Sequence, residues 1–319
     1  MIALDANGAD HGPEAAAEGA RIAGLEVELF GPPLPAIGND EEPTRAVRSR
    51  PDASIVQAAR AVADGRCNAL VSPGPTGATL VAALLHVKRI HGVHRPAIAA
   101  LVPVPGSPTL LLDAGANAEV RPEHLVQFAH MGATFMEAVH GVARPRVGLL
   151  SIGEEAKKGT PDVIEAHQRL AADKTLAFVG NIEGGDVTAG VVDVVVTDGF
   201  TGNVALKLME GTASTVVRAI RAAIRSGPVS AAGGLLIRRR VGRLRDELDP
   251  NRTGGAILLG IRKPVVIAHG SATAEGIANA LRLAQRAVDE RMIERTSAAL
   301  EAAGALRSAP AASFAEAHE

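Results

Sequence analysis

The chain has 319 residues, of which 47% are hydrophobic and 21% charged, so it is long enough to bury a sizeable core. Its 33 basic and 35 acidic residues give a net charge of −2, and it has no Trp or Tyr, which argues against nucleic acid as a partner. The single cysteine, Cys67, excludes an internal disulfide or a cysteine-rich metal site and is typical of a reducing cytosol.

Short apolar runs alternate with helical patterns from the N-terminus onward. Strands are predicted at 1–4, 25–30, 69–72, 98–102, 109–112, 146–151, 176–179, 192–197 and 265–268. Helices are predicted at 13–23, 53–63, 76–87, 122–139, 161–171, 202–224 and 273–293, and a loop at 31–51. This alternation predicts a layered α/β/α fold with a largely parallel sheet.

The domain organisation predicted from the same pattern is simple. Residues 1–302 are expected to form one α/β domain, and the Ala-, Ser- and Pro-containing tail at 303–319 is expected to be disordered. The N-terminus is interpreted as a first strand rather than a signal peptide. No apolar stretch approaches the roughly 20 residues that a transmembrane helix needs.

Five predicted strands end in polar, Gly-containing turns, at 72–78, 113–117, 151–159, 197–203 and 268–271. Glycine lets the backbone approach an anion closely, and a helix N-terminus presents unpaired N–H groups to it. One such turn is usually ordinary turn chemistry. Together, the five turns predict a site for a phosphate-bearing or other anionic ligand at the carboxyl ends of the strands.

Several motifs of cofactor and covalent chemistry are missing from the sequence. We find no G-x-G-x-x-G fingerprint, no G-x-x-x-x-G-K-[ST] loop, no H-E-x-x-H and no G-x-S-x-G elbow. Cys67 at a strand edge is interpreted as a small structural residue. We therefore predict no cofactor, no metal and no covalent acyl-enzyme.

The polar turns resemble the motifs of the PlsX family of phosphate acyltransferases. The resemblance runs in order along the chain, from residue 2 to about residue 285. The matching stretches are DANGADHGPE at 5–14, VSPGPTGA at 71–78, DAGAN at 113–117, RPEHL at 121–125, GLLSIGEE at 148–155, DGFTGNV at 198–204 and AHGS at 268–271.

The resemblance implies a fold related to phosphotransacetylases and isopropylmalate-type dehydrogenases. It implies a homodimeric, cofactor-free cytoplasmic enzyme that associates peripherally with the membrane. The implied donor is long-chain acyl carrier protein, the acceptor is inorganic phosphate, and the product is an acyl phosphate for phospholipid synthesis. A glycerol-3-phosphate acyltransferase is a further candidate partner.

Site residues are predicted from these motifs and from the chemistry of acyl transfer, which needs phosphate held at attack distance and donors aimed at the oxyanion. The residues expected to be catalytic are Lys158, Asn203 and His269. Those expected to bind substrate are Asp5, Gly8, Thr76, Gly77, Asp113, Asn117, Gly153, Glu154, Asp198 and Gly202.

An amphipathic helix is predicted within residues 230–249. Ile237, Val241, Leu244 and Leu248 share one helical face, while Arg239 belongs to a cluster of arginines beside it. This pattern suits a helix lying on an anionic bilayer. A dimer-forming or ordinary surface helix explains the pattern equally well.

The sequence also departs from the family motifs. Ala9 replaces a glycine, Pro73 and Pro75 replace Ala and Asn, Thr160 replaces an Asn, and the segment 31–43 is shortened. Pro75 removes an amide side chain and fixes φ. Two alternatives stay open. The related fold permits a short-chain phosphotransacylase that uses acyl-CoA, and the shortened segment with Pro75 favours a non-catalytic paralogue that binds acyl carrier protein or another partner.

Overall fold

A computed structural model describes residues 1–102, 108–228 and 252–307, together with the single positions 230, 233, 237 and 242. Most of the predicted membrane segment therefore lies outside the described residues. Ile237 is described and is 45% exposed, whereas Arg239, Val241, Leu244 and Leu248 are not described. No helix within the described ranges is long and apolar enough to cross a membrane.

The described residues form one ten-stranded sheet. Its strands are β1 (Ile2–Asp5), β2 (Val27–Phe30), β3 (Ala69–Ser72), β4 (Ala97–Val102), β5 (Thr109–Leu112), β6 (Arg146–Leu150), β7 (Ala177–Ile182), β8 (Val194–Val196), β9 (Ala256–Leu259) and β10 (Val265–Ile267). They lie in the order β2-β1-β3-β10-β9-β4-β5-β8-β6-β7.

The strand directions divide this sheet into two halves. Strand β4 is antiparallel to both of its neighbours, β9 and β5, and β9 is also antiparallel to β10. All other pairings are parallel, which confirms the predicted largely parallel sheet. Strands β1 to β4 and β10 therefore run one way, and β5 to β9 run the other way.

Helices cover both faces of the sheet. They are α1 (Pro13–Ala23), α2 (Pro43–Ser49), α3 (Ser54–Ala63), α4 (Thr76–Ala82), α5 (Pro122–His140), α6 (Pro161–Ala172), α7 (Gly199–Ile224), α8 (Ala274–Asp289) and α9 (Met292–Ala302). One core lies between the sheet and α1, α5, α6, α8 and α9. A second lies under α2, α3 and α4, and a third, smaller one is covered by α7. The predicted α/β/α layering is thus confirmed.

Three elements differ from the sequence-based expectation. The loop predicted at 31–51 contains α2, because Glu42 caps the helix by accepting hydrogen bonds from the N–H groups of Thr44 and Arg45. The last predicted helix, 273–293, ends at Asp289, and a separate helix that was not predicted, α9, begins at Met292 after Arg291, which adopts a left-handed conformation with φ 50°. Strand β9 was not predicted, and it lies between β10 and β4.

His140, the last residue of α5, has its imidazole in a poorly solvated position. Burial lowers its pKa to about 4, and the nearby guanidinium of Arg286 contributes to the shift. Its Nε2 atom is buried and has no hydrogen-bond partner among the described residues. The imidazole is therefore neutral in the folded protein at neutral pH.

We expect the free energy of unfolding to fall as the pH is lowered from about 6.5 to about 4, because the unfolded state binds a proton that the folded state excludes. His140→Leu should remove up to about 3 kcal/mol of this pH dependence. Urea denaturation between pH 4 and pH 8 measures it. His11→Leu, at an exposed histidine, is the control, and equal slopes in the two variants would contradict the assignment to His140.

Candidate functional site

The strand directions distribute the predicted site residues over two groups. The Asp5 group follows β1, β3 and β10 and comprises Asp5, Gly8, Thr76, Gly77 and His269. The Asp113 group follows β5, β8 and β6 and comprises Asp113, Asn117, Asp198, Gly202, Asn203, Gly153, Glu154 and Lys158. Each set of turns lies at the carboxyl ends of its own strands. Because the two sets of strands run in opposite directions, the two groups lie at opposite edges of the sheet. Strands β10 and β5 are also three positions apart, about 14 Å at 4.8 Å per strand.

In the Asp5 group, a buried carboxylate holds the turns together. Asp5 Oδ1 accepts a hydrogen bond from Ser54 Oγ at 2.6 Å, and Oδ2 accepts one from Ser72 Oγ at 2.8 Å. Burial raises the pKa of Asp5, and the two hydroxyl groups oppose that shift. Ser72 Oγ also accepts from the N–H of Gly74, so the turn after β3 is fixed to the end of β1.

The glycines of the Asp5 group allow close approach of these turns. A Cβ atom on Gly8 would lie 2.5 Å from the backbone of Gly74, so neither turn leaves room for a side chain there. The backbone N–H of Asp10 donates to the carbonyl of Gly270, which adds the turn after β10. In that turn, His269 Nδ1 lies 2.7 Å from Ser271 Oγ, and its ring is exposed.

The first turn of α4 completes the Asp5 group. Thr76 is exposed at the start of the helix, where its hydroxyl is available to a ligand. Gly77 faces α2, because a Cβ atom at this position would lie 2.7 Å from the Pro43 side chain. Although the segment before α2 is shortened, α2 itself still packs against this turn.

In the Asp113 group, one fully buried carboxylate organises a loop. Asp113 Oδ1 accepts hydrogen bonds from the N–H groups of Ile98, Gly115 and Ala116. Asp113 Oδ2 accepts from the N–H and the side-chain amide of Asn117, both at 2.8 Å. Burial raises the pKa of Asp113, and the hydrogen bonds from Ala116, Ile98 and Asn117 oppose the shift.

The loop at 113–117 packs directly on the first turn of α7. The N–H of Gly199 donates to the carbonyl of Asn117 at 2.7 Å. A Cβ atom on Gly202 would overlap the carbonyl oxygen of Asp113, so only glycine fits there. Asp198 caps the helix by accepting from the N–H of Thr201, and Asn203 is exposed beside Gly115. Asn203 is thus presented at the helix N-terminus, where anions bind readily.

The loop at 151–159 lies at the end of β6, next to β8. Ser151 Oγ donates to the carbonyl of Lys158, and the Lys158 side chain lies along Gly153. Asn181 on β7 fixes the loop by donating to the carbonyl of Glu155. Lys158 and Glu154 are both exposed, and because β6 pairs with β8 this loop lies at the same edge of the sheet as the rest of the Asp113 group.

Sequence reasoning missed three residues that build these groups. Ser54 and Ser72 bind Asp5, and Asn181 holds the lysine loop. Ser72 lies within a motif that was recognised, so its type and place could have identified it. Ser54 and Asn181 come from distant segments without any local pattern, and only the tertiary fold brings them to the site.

His94, Glu123 and His124 form a small cluster outside both groups, with one ligand atom of each within 4.8 Å of the others. The N–H of Arg121 donates to His124 Nδ1, which places the proton of the neutral ring on Nε2. That ring then has no free lone pair for a metal, so the cluster does not fit a three-ligand site. Absence of a metal from the reaction stays a prediction.

Comparison with known protein families confirms the resemblance drawn from the motifs. Residues 35–295 match the family described as "Fatty acid synthesis protein". A phosphate acyltransferase of Anoxybacillus flavithermus is 43% identical over 317 residues, covering 92% of this chain and 96% of the relative. One from Thermobifida fusca is 43% identical over 322 residues, covering 92% and 89%.

Solved structures with the same fold include a phosphotransacetylase and a branched-chain phosphotransacylase. A phosphotransacetylase from Streptococcus pyogenes superposes with a TM-score of 0.60 at 17% identity, covering 91% of this chain and 94% of that one. A branched-chain phosphotransacylase from Enterococcus faecalis V583 gives 0.54 at 17% identity, covering 90% and 100%. At these identities the likeness establishes the fold, and it confirms the predicted relation to phosphotransacetylases.

Proposed function

Because the chain belongs to the family of phosphate acyltransferases, we propose that it transfers a long-chain fatty acyl group from acyl carrier protein to inorganic phosphate. The product is an acyl phosphate for phospholipid synthesis. The observation that carries the proposal within the fold is the Asp113 group, in which a buried carboxylate shapes a loop against a helix N-terminus beside an exposed lysine.

We assign the phosphate to the Asp113 group. The N-terminal turn of α7 and the amide of Asn203 offer hydrogen-bond donors, and Lys158 supplies a positive charge. The carboxylates of Asp113 and Asp198 are engaged by N–H groups of the protein. Their role is to hold the donors in place.

The reaction then needs positioning more than acid–base catalysis. A phosphate oxygen attacks the thioester carbonyl carbon, the C–O bond forms, and the C–S bond breaks to release the carrier thiolate, which takes up a proton. Donors aimed at the carbonyl oxygen stabilise the tetrahedral intermediate. Cys67 is no nucleophile here, because it is buried and burial raises its pKa to about 11.

The Asp5 group is assigned to another part of the extended donor. Thr76 and His269 are exposed there, on turns that Asp5 and the packed glycines hold rigidly. A phosphate ion is too small to contact both groups, whereas a long acyl thioester with its prosthetic arm spans several strands. The two groups therefore serve the acceptor and the donor separately.

The test is to incubate the purified protein with phosphate and a long-chain acyl-ACP, and to trap the acyl phosphate with hydroxylamine. Parallel reactions contain acyl-CoA of long and short chain length. The related phosphotransacylase folds favour the short-chain acyl-CoA alternative, and a preference for that donor would support it. No acyl phosphate with any donor would support the non-catalytic alternative.

Lys158→Ala is expected to raise the KM for phosphate about 10- to 100-fold, since it removes a charge-assisted contact of about 1.5–3 kcal/mol. The KM for the acyl donor should change little. Lys157→Ala is the matched control, because Lys157 is the adjacent exposed lysine. An unchanged phosphate KM in Lys158→Ala, or an equal rise in both variants, would remove Lys158 from the phosphate site.

We further propose a homodimer that associates with anionic membranes from the cytoplasm. Helix α7 supports the dimer, since Phe200 is 67% exposed and Leu208 is 68% exposed, with Val204 between them. An apolar face of this kind suits a second copy of the chain. Flotation of the full chain with anionic vesicles tests the membrane association. Co-sedimentation tests association with a glycerol-3-phosphate acyltransferase that consumes the product.

A further inference from the structure

Two adjoining hollows lie at the carboxyl end of β9 and the amino end of β4, outside both site groups. The first has a volume of about 660 Å³ and the second about 540 Å³, and they share Leu85, Lys88 and Arg262. Six basic residues line the pair: Arg60, Lys88, Arg89, Arg262, Lys263 and Arg307. Asp64 is the one carboxylate in the lining, although the whole chain has a net charge of −2.

These cations are not neutralised within the part of the chain that the structure describes. The ion pairs found there involve other residues, and none joins a carboxylate to any of the six. Leu85 is 38% exposed in the wall common to both hollows. The surface is therefore a basic rim around an apolar centre.

The backbone holds this rim rigidly and in a strained conformation. Lys88 has φ 69° and ψ 163°, a region that is essentially restricted to glycine. Its carbonyl accepts from the N–H of Arg262, and the carbonyl of Arg89 accepts from the Arg262 guanidinium. The strain at Lys88, in a region that favours glycine, makes its side chain a candidate for a functional role.

The rim adjoins the Asp113 group. His94 lines the first hollow, and its backbone N–H donates to the side chain of Gln127 at 2.8 Å. Two residues further on, the carbonyl of Pro96 accepts from the side-chain amide of Asn117 at 2.7 Å. A partner bound on the rim is thus placed next to the loop to which we assign the phosphate.

We propose that this basic rim docks the acyl carrier protein, through an acidic helical face with an apolar side chain at its centre. The inference rests on the proposed donor. Carboxylates along such a helix meet Lys88 and Arg262, and the apolar side chain meets Leu85. Neither hollow is lined by Phe, Tyr or Trp, the side chains with the largest stacking surface, although His86, His91 and His94 lie there. A protein surface therefore suits the rim better than single-stranded nucleic acid.

The charge-reversal variant Lys88→Glu/Arg262→Glu tests the docking surface. We expect its KM for acyl-ACP to rise at least tenfold, with kcat, the KM for phosphate and the rate with a carrier-free acyl thioester unchanged. Wild-type KM for acyl-ACP should rise with salt, because exposed charges are screened, and that dependence should weaken in the variant. Arg48→Glu/Lys174→Glu, at exposed positions outside the hollows, is the control with the same change in net charge.

Lys88→Gly separates docking from folding. It relieves the strained conformation, so we expect a higher Tm together with a higher KM for acyl-ACP. Three outcomes would overturn the docking surface alone. The KM for acyl-ACP could stay unchanged in both rim variants, it could rise equally in the control, or the KM for phosphate could rise in place of the KM for acyl-ACP. A wild type that uses carrier-free thioesters but not acyl-ACP would overturn the proposed donor and the docking surface with it.

Discussion

Replacing Gly202 with Ala is expected to abolish acyl phosphate formation and to lower the free energy of unfolding by about 4 kcal/mol. The added Cβ would overlap the carbonyl oxygen of Asp113 and lie 3.0 Å from the Thr197 side chain. The obstacle is buried backbone rather than a flexible side chain, so it cannot move without breaking the loop that Asp113 organises. The first turn of α7 must then leave that loop.

Gly211→Ala is the matched control for this substitution, because Gly211 lies in the same helix with open space around it. There, alanine should leave activity unchanged and stabilise the helix by up to about 1 kcal/mol. Urea denaturation and hydroxylamine trapping of both variants measure the two effects. A Gly202→Ala enzyme with wild-type activity would show that the contact between α7 and the loop has no part in the site.

Replacing Asp113 with Asn is expected to lower the free energy of unfolding by about 3–5 kcal/mol and acyl phosphate formation by at least about 100-fold. Five donors converge on the carboxylate. An amide nitrogen placed at Oδ2 would face the two donors of Asn117. Placed at Oδ1, it would face the three backbone N–H groups that now donate there. Every orientation therefore leaves buried N–H groups without an acceptor.

Asp198→Asn is the control for Asp113→Asn, since the same atom is changed in the same group. Asp198 accepts one hydrogen bond as the N-terminal cap of α7, and asparagine caps about as well. Its free energy of unfolding should change by less than about 0.5 kcal/mol. Similar losses of stability in the two variants would contradict the organising role assigned to Asp113.

The layered fold could be predicted because its strands and most of its helices have strong local patterns. Helix α5 has apolar residues around most of its surface and a Pro after Arg121, and it was predicted at nearly its observed bounds. Strand β9 was missed although Gly254 and Gly255 precede it as a turn signal, because its four residues form too short an apolar run to identify a strand. Helix α2 was missed because its cap is Glu42, a residue type that seldom signals a helix start.

The candidate site was predictable turn by turn but not in its arrangement. Asp113, Gly202 and Asn203 were predicted from turn chemistry and from the family resemblance. Their separation from Asp5 and His269 depends on the reversal of direction between β4 and β5, which a list of strands does not contain. The basic rim was equally hidden, since Arg60, Lys88 and Arg262 come from three distant segments.

The position of β10 has a consequence for how the chain folds during synthesis. Strand β10 pairs with β3 on one side and β9 on the other, so residues near 265 fill the middle of a sheet that begins at residue 2. Until they leave the ribosome, β3 and β4 each present an unpaired edge. Such long-range closure is slow, and open edges invite pairing with other nascent chains. Fragments that stop before β9 should therefore aggregate and depend on chaperones, whereas the full chain closes its own sheet.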